Sequence, residues 1–395
     1  MPRVEMEVPT VKVAIIGAGI GGLTLAAVVH RGNPSIDVTV YERDAALDAR
    51  PSGYSLGIKG DAGVAVAREL GVFDSLVRDA VPVASFIFLD QRGRKLMELP
   101  NEGGGKRLTL RVRRSRLMEE LRGAAPMVPV RFGKRLTHYR VAADGVELQF
   151  ADKESAVADW VVGADGVDSA VRQKWIGDDR RFLGLAATVG DAPIRLEHDL
   201  LAAGYFMTLG DDGSSVFVYR ETGGVHLSLT RHADPGDDGR SGQELLDELM
   251  AATRSWHDPI PRIAASIDPA TLVVRRYYDK EPAARVRDGR VWLIGDAAHP
   301  MCPFQGQGAN TGMLDALGLG GWLVAQGLAW PAEAASQQLE AEIVRRGRKA
   351  VLDSRRAAGQ FHTTNRFKQL SRNAGFRMAN AVIGVSRRLR PSRGE

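Results

Sequence analysis

Residues 11–16, VKVAII, form a short unbroken apolar run. Behind it comes GAGIGGLTLAAVVHRG, in which glycines give way to apolar residues at helical spacing, and then DVTVYERD at 37–44. A short apolar run bounded by glycine reads as a strand buried on both faces. The order is therefore strand, glycine-rich turn, helix, strand, which is a βαβ unit and predicts a parallel sheet. ADWVVGADG (158–166) and RVWLIGDAAH (290–299) have the same character. Elsewhere the period falls to two. SFIFLD and RKLMELP around a QRG turn predict an antiparallel hairpin, and VPVRFGK, THYRVAA and GVELQF predict a meander around an ADG turn. YFMTL, SVFVYRE and VHLSLT, within 181–285, predict a larger antiparallel sheet followed by a helix near 242–256. Residues 61–79, RRSRLMEELRGAA and most of 311–395 read as helical.

The pattern predicts an α/β fold with two interleaved domains. A Rossmann-like domain with a parallel sheet is assembled from residues 1–80, 106–180 and 286–335. An antiparallel-sheet substrate domain is inserted at 81–105 and 181–285, and a helical segment closes the chain at 336–395. At 395 residues, two domains are the default.

Composition narrows the class. The chain is 44% hydrophobic and 26% charged, values ordinary for a globular protein. Its single cysteine, Cys302, excludes an internal disulfide framework and a cysteine-based zinc site. No metal is expected, and a reducing, cytoplasmic setting is. The start, MPRVEMEVPT, carries acids and prolines where a secretory signal needs an apolar stretch. No run reaches the roughly 18 consecutive apolar residues of a membrane span, so no membrane partner is expected. A net charge of +5 is only mildly basic, with arginines scattered except at 387, 388, 390 and 393, and no nucleic-acid partner is expected. A monomer or weak dimer is expected.

The chemistry-bearing motif in the first βαβ unit is Gly17-x-Gly19-x-x-Gly22. Gly17 permits a tight turn, Gly19 lets backbone approach a pyrophosphate, and Gly22 permits close helix–strand packing. Free amides at the helix start then receive the anion. Glu42, at the end of the second strand, suits adenosine ribose hydroxyls and disfavours a phosphorylated ribose, which points to FAD or NAD. A glycine-rich turn in another α/β fold is the plainer alternative. The stretch LIGDAAHPMCPFQGQGAN (293–310) decides for FAD. A nicotinamide enzyme has no need of a second strand–Gly-Asp–helix element. An extended flavin has a ribityl chain that Asp296 can accept from, and its phosphate and ring suit the amides between Gly306 and Asn310.

GAGIGGLTLA with YERD, VVGADGVDSAVR, and LIGDAAHPMCPFQGQGAN together resemble the three motifs of the class A FAD-dependent monooxygenases, the para-hydroxybenzoate hydroxylase fold. The resemblance spans 11–330 and looks nearest to the tetracycline-inactivating subgroup. It implies that Glu42, Arg43, Arg114, Asp165, Gly166, Gly295, Asp296, Gly308 and Asn310 join the three glycines in holding FAD, with Asp165–Gly166 also serving the passing NAD(P)H. It implies that Pro300, Phe304, Gln305 and Gly306 lie along the flavin ring face. It further implies that NAD(P)H reduces FAD, that O2 adds at C4a, and that the hydroperoxide gives one oxygen to an aromatic or polyketide-like substrate, by hydroxylation or epoxidation. The protein's share is orientation, water exclusion and electrostatic tuning.

In the substrate domain, His226, Tyr205, Phe217 and Tyr219 are the candidate substrate contacts. The plainer reading of each is a packed strand residue. His299 reads as structural, bonding backbone at its turn, and Asn373 and Met378 as pocket caps or plain packing. WHDPIP (256–261) resembles a flavin-halogenase signature but lacks its second tryptophan, Asp258 standing there. Alternatives to the monooxygenase are a flavin oxidoreductase of the same fold that inserts no oxygen, and a non-catalytic flavin-binding protein.

Overall fold

A computed structural model describes residues 10–49, 55–81, 83–101, 108–177, 180–236, 239–326 and 333–388. The chain divides into two compact units. The first comprises Met1–Ala80, Val112–Arg180 and Lys280–Ser354, and the second Val81–Arg111, Arg181–Asp279 and Arg355–Glu395.

Among the described residues, the first unit is built on a six-stranded sheet ordered Arg287–Asp288, Val291–Leu293, Trp160–Gly163, Lys12–Ile16, Asp37–Tyr41, Val130–Arg131. All neighbours are parallel except the short edge strand Arg287–Asp288. The apolar runs are buried as their composition requires, with Val13, Ile15, Val40, Val162 and Leu293 almost inaccessible. Register then places the site. Ile16 is level with Tyr41 and Gly163, and Gly163 with Leu293. The residues that follow, Gly17, Glu42, Ala164 and Ile294, therefore leave the sheet along one carboxyl edge, where open α/β sheets bind ligands. Helix Ile20–Gly32 packs against helix Gly308–Gln326. VPVRFGK does not join the predicted meander. Its Val130–Arg131 extends the parallel sheet beside Asp37–Tyr41, and the meander is formed by Leu136–Val141, Val146–Phe150 and Ser155–Ala158. A two-residue pairing has too little periodicity to show which sheet it joins.

The second unit carries a seven-stranded sheet ordered Val273–Lys280, Arg180–Ala192, Gly224–His232, Ser215–Glu221, Gly204–Leu209, Ser85–Asp90, Lys95–Pro100. Alternation divides its faces. Ile87, Phe206, Val216, Val218, Leu227 and Leu229 pack with Leu245, Leu249, Ile260 and Ile263 from the helical stretch that follows. Trp256 belongs to this core, which accounts for the halogenase-like tryptophan.

The boundaries differ from the pattern in three places, and in one of them residues 280–285 fall in the first unit. Residues 108–111 fall in the second unit. The closing segment is no unit of its own, because helix Glu333–Phe361 is divided at Ser354 between the two. A continuous helix carries no local mark of which neighbour packs on each part of it.

Candidate flavin and substrate sites

At the carboxyl edge of the parallel sheet, Gly17 has φ +108°, and a Cβ there would lie 2.4 Å from the Ala164 carbonyl oxygen. A Cβ on Gly22 would sit 2.0 Å from the Gly17 carbonyl oxygen. Only glycine fits either position. Gly19 caps helix Ile20–Gly32 in extended conformation, and no side chain caps that helix. Its first-turn amides are left for an outside acceptor.

Glu42 grips this turn from the next strand. Its carboxylate accepts from Ala18 N at 2.7 Å and Asp44 N at 2.9 Å. A carboxylate has about four acceptor sites, so capacity remains for ribose hydroxyls. Arg43, beside it, is half-buried. Asp165 uses one oxygen to accept from Ala170 N at 2.8 Å, while its Oδ1 is buried without a protein partner. Burial raises its pKa against the lowering effect of those hydrogen bonds. Gly166 follows with φ +82°.

The Gly295–Asp296 turn has a buried charged floor that the sequence reading missed. Asp315, fully buried, accepts from Gly295 N at 3.0 Å, from His299 Nε2 at 2.5 Å and from Arg346 Nε and Nη2 at 3.0 and 2.8 Å. His299 is structural as expected, but its partner is this carboxylate rather than backbone. Desolvation pulls its pKa down and Asp315 pulls it up, with a net rise; Asp315 is held below the ordinary carboxylate value despite its own desolvation. Asp296 is reached by solvent, yet protein surrounds it closely enough for desolvation to raise its pKa against His299 and Arg114. Its Oδ1 lies 3.5 Å from where a Cβ would stand on Gly308, the first residue of helix Gly308–Gln326.

Two braces hold the loop between them. Lys59 Nζ donates to the Gln305 carbonyl at 3.0 Å, and Gly306, at φ +56°, turns the chain into the helix. Pro300 is buried, and Phe304 and Gln305 are half-buried. Asn310 has a second role beside the one expected of its backbone amide. Its side chain donates to the Gly57 and Gly306 carbonyls and accepts from Lys59 N and Gly63 N. All its bonding capacity is spent on backbone, so it is a clamp and not a cofactor contact through its side chain.

In the second unit the candidate substrate residues converge. Phe86, Tyr205, Tyr219, His226 and Asp191 stand in one register row across five strands. Tyr219 stacks on His226 with centroids 4.6 Å apart, and His226 Nδ1 donates to Asp191 Oδ1 at 2.7 Å. Phe217 packs edge-on to Tyr205 at 5.9 Å. Arg111, unmarked in the sequence reading, is buried with its guanidinium 3.6 Å from the Tyr219 ring centroid and 5.5 Å from that of Tyr205. Met378, by contrast, is exposed and caps no pocket, and Asn373 accepts from Arg372 Nε at 3.0 Å.

A glycine turn that only glycine fits, uncapped helix amides, an acidic strand end and an unpartnered Asp165 oxygen form a donor and acceptor set that fits FAD. Comparison with known proteins agrees. Residues 10–352 match the FAD binding domain family model, and the chain belongs to that family, that of the class A FAD-dependent monooxygenases. It is 32% identical over 371 residues to the 3-amino-4-hydroxybenzoate 2-monooxygenase of Streptomyces cremeus, covering 89% of this chain and 88% of that protein. The crystal structure of Klebsiella pneumoniae HpxO complexed with FAD and uric acid superposes with TM-score 0.82 at 27% identity, over 95% of each chain. The tetracycline destructase Tet(51) matches with TM-score 0.65 at 19% identity, covering 95% of this chain and 98% of that one. At that identity the likeness to the tetracycline-inactivating subgroup is one of fold. The chain is an FAD-dependent monooxygenase.

Proposed function

We propose that this monooxygenase uses NAD(P)H and O2 to hydroxylate a small aromatic compound with an electron-rich ring. The observation that carries this reading is the second unit's row of Phe86, Tyr205, Tyr219 and His226 with the Arg111 guanidinium against it. Rings of this kind offer a flat apolar wall to an aromatic substrate. A guanidinium stacked on them favours a substrate with an acidic hydroxyl or carboxyl group. His226, with Nδ1–H donated to Asp191, presents Nε2 as an acceptor in its neutral form, suited to a phenolic proton. The hydroxybenzoate and uric acid in the names of the relatives are flat rings with acidic groups.

In the first unit, the amides of the Gly17–Gly22 turn receive the pyrophosphate, Glu42 and Arg43 the adenosine end, and Arg114 and Asp296 the ribityl and ring end. Asp165, whose Oδ1 has no protein partner, and Gly166 would serve both FAD and NAD(P)H. Pro300, Phe304, Gln305 and Gly306 would lie along the ring face and help to keep water from it. Bound FAD supplies the oxygen-activating chemistry. The test is oxidation of NADH and NADPH by FAD-loaded protein against hydroxybenzoates, other phenols and tetracyclines, with isotopically labelled O2 and mass spectrometry. A phenolic compound that accelerates oxidation and gains one labelled oxygen is the expected result. Labelled product from the tetracyclines alone, or hydrogen peroxide alone across the panel, overturns the substrate class.

A further inference from the structure

Helix Arg366–Arg388 buries one face and leaves an apolar one in solvent. On the inner face Gln369 donates to the Asp211 carbonyl at 3.0 Å, Phe376 packs on Phe88 with centroids 5.1 Å apart, and Asn380 accepts from Glu98 N at 2.9 Å. Outward stand Phe367 at 85% exposure, Leu370, Met378 at 71%, Val382 at 69%, and Val385. At about 100° per residue these five fall within an arc of roughly 120°, a continuous stripe. Exposed Arg366 and Arg377 stand on one side of it and exposed Lys368 on the other. The helix contains six basic residues, Arg366, Lys368, Arg372, Arg377, Arg387 and Arg388, and no acidic one.

We propose that this helix docks the enzyme on an anionic lipid bilayer, lying in the interface with its apolar stripe inserted among the acyl chains. An apolar stripe bordered by cations is the arrangement that such a surface receives. Charge decides against a second copy of the chain. Pairing two such stripes would set cation against cation with no carboxylate in either helix to answer them. This docking departs from the expectation of no membrane partner; it does not involve spanning, since among the described residues no helix is long and apolar enough to cross a bilayer. Lying on one needs only the stripe and its charges.

The experiment is co-sedimentation of FAD-loaded full-length protein with vesicles of phosphatidylcholine alone and with about one-third phosphatidylglycerol. Binding to the anionic vesicles only, weakened by salt, is expected. Met378→Asp with Val382→Asp should abolish it. Arg366→Glu with Lys368→Glu should weaken it by about 30-fold or more, since two basic residues contributing about 1 kcal/mol each are lost. Both variants should keep the parent's circular dichroism and vesicle-free NAD(P)H oxidation. No sedimentation with anionic vesicles overturns the proposal. So does equal sedimentation of the parent and the folded aspartate variant, or a dimer in solution that the aspartates dissociate while lipid binding is absent.

Discussion

Asp315→Ala tests the charged floor beneath the Gly295–Asp296 turn. The substitution removes an acceptor for Gly295 N, His299 Nε2 and two Arg346 nitrogens at once. Breaking a buried ion pair typically costs about 3–5 kcal/mol. Two features place this case near the lower figure. Arg346 is 25% exposed and can turn its guanidinium to water, and His299 can shed its proton. What cannot relax is the Gly295 amide and the hollow left by the carboxylate. The expected loss is about 3 kcal/mol, or roughly 6–12 °C in melting temperature for a unit of this size. The signs of the pKa shifts predict the pH profile. Asp315 lies below its unfolded value, so its contribution is present above about pH 4 and fades as pH falls through its folded value. His299 lies above its unfolded value, so its contribution is complete below about pH 6.5 and fades as pH rises through its folded value. The parent therefore gains most from the pair between about pH 4 and 6.5, and Asp315→Ala should flatten that maximum. Thermal melts of the FAD-free protein across pH measure this. A melting temperature within about 3 °C of the parent, with an unchanged pH profile, would refute the reasoning.

Gly17→Ala combines an unfavourable φ with a Cβ 2.4 Å from a carbonyl oxygen, and should cost about 2–5 kcal/mol. Flavin content per soluble chain should fall steeply, and a content equal to the parent's would mean the turn does not receive the cofactor. Asp296→Ala should weaken FAD affinity by about tenfold to 100-fold, as for a lost charge-assisted hydrogen bond; fluorescence titration of apoprotein reads it, and equal affinity removes Asp296 from the cofactor site. His226→Ala should raise KM for the aromatic substrate while leaving flavin reduction without substrate unchanged, and Asp191→Asn should do so more weakly through the 2.7 Å hydrogen bond. Stopped-flow reduction beside steady-state kinetics separates these, and equal effects on both readouts return His226 to packing.

Much of the first unit is legible in the chain because its signals are local. VKVAII, the glycine turn and DVTVYERD announce strand, turn, helix and strand in sequence, and backbone sterics make glycine obligatory where φ is positive. Period-two alternation likewise shows that Phe217 and Tyr219 share one face of their strand. The remaining site residues have no such signal. Nothing in RLTLRVRRSRL separates Arg111, against the tyrosines, from Arg114, at a helix start. Asp315 and Arg346 sit on two helices whose patterns describe only their own faces, yet they meet under Gly295. Asn310, expected at the cofactor through its amide, also clamps that loop with its side chain, which no local pattern shows. Strand, helix and tight turn were thus written into the chain alone, because they follow from repeats and sterics within a few residues. Which strand lay level with which, and so which side chains met, was settled by packing. Register and burial of charge are properties of elements assembled together, and no short stretch of chain contains them.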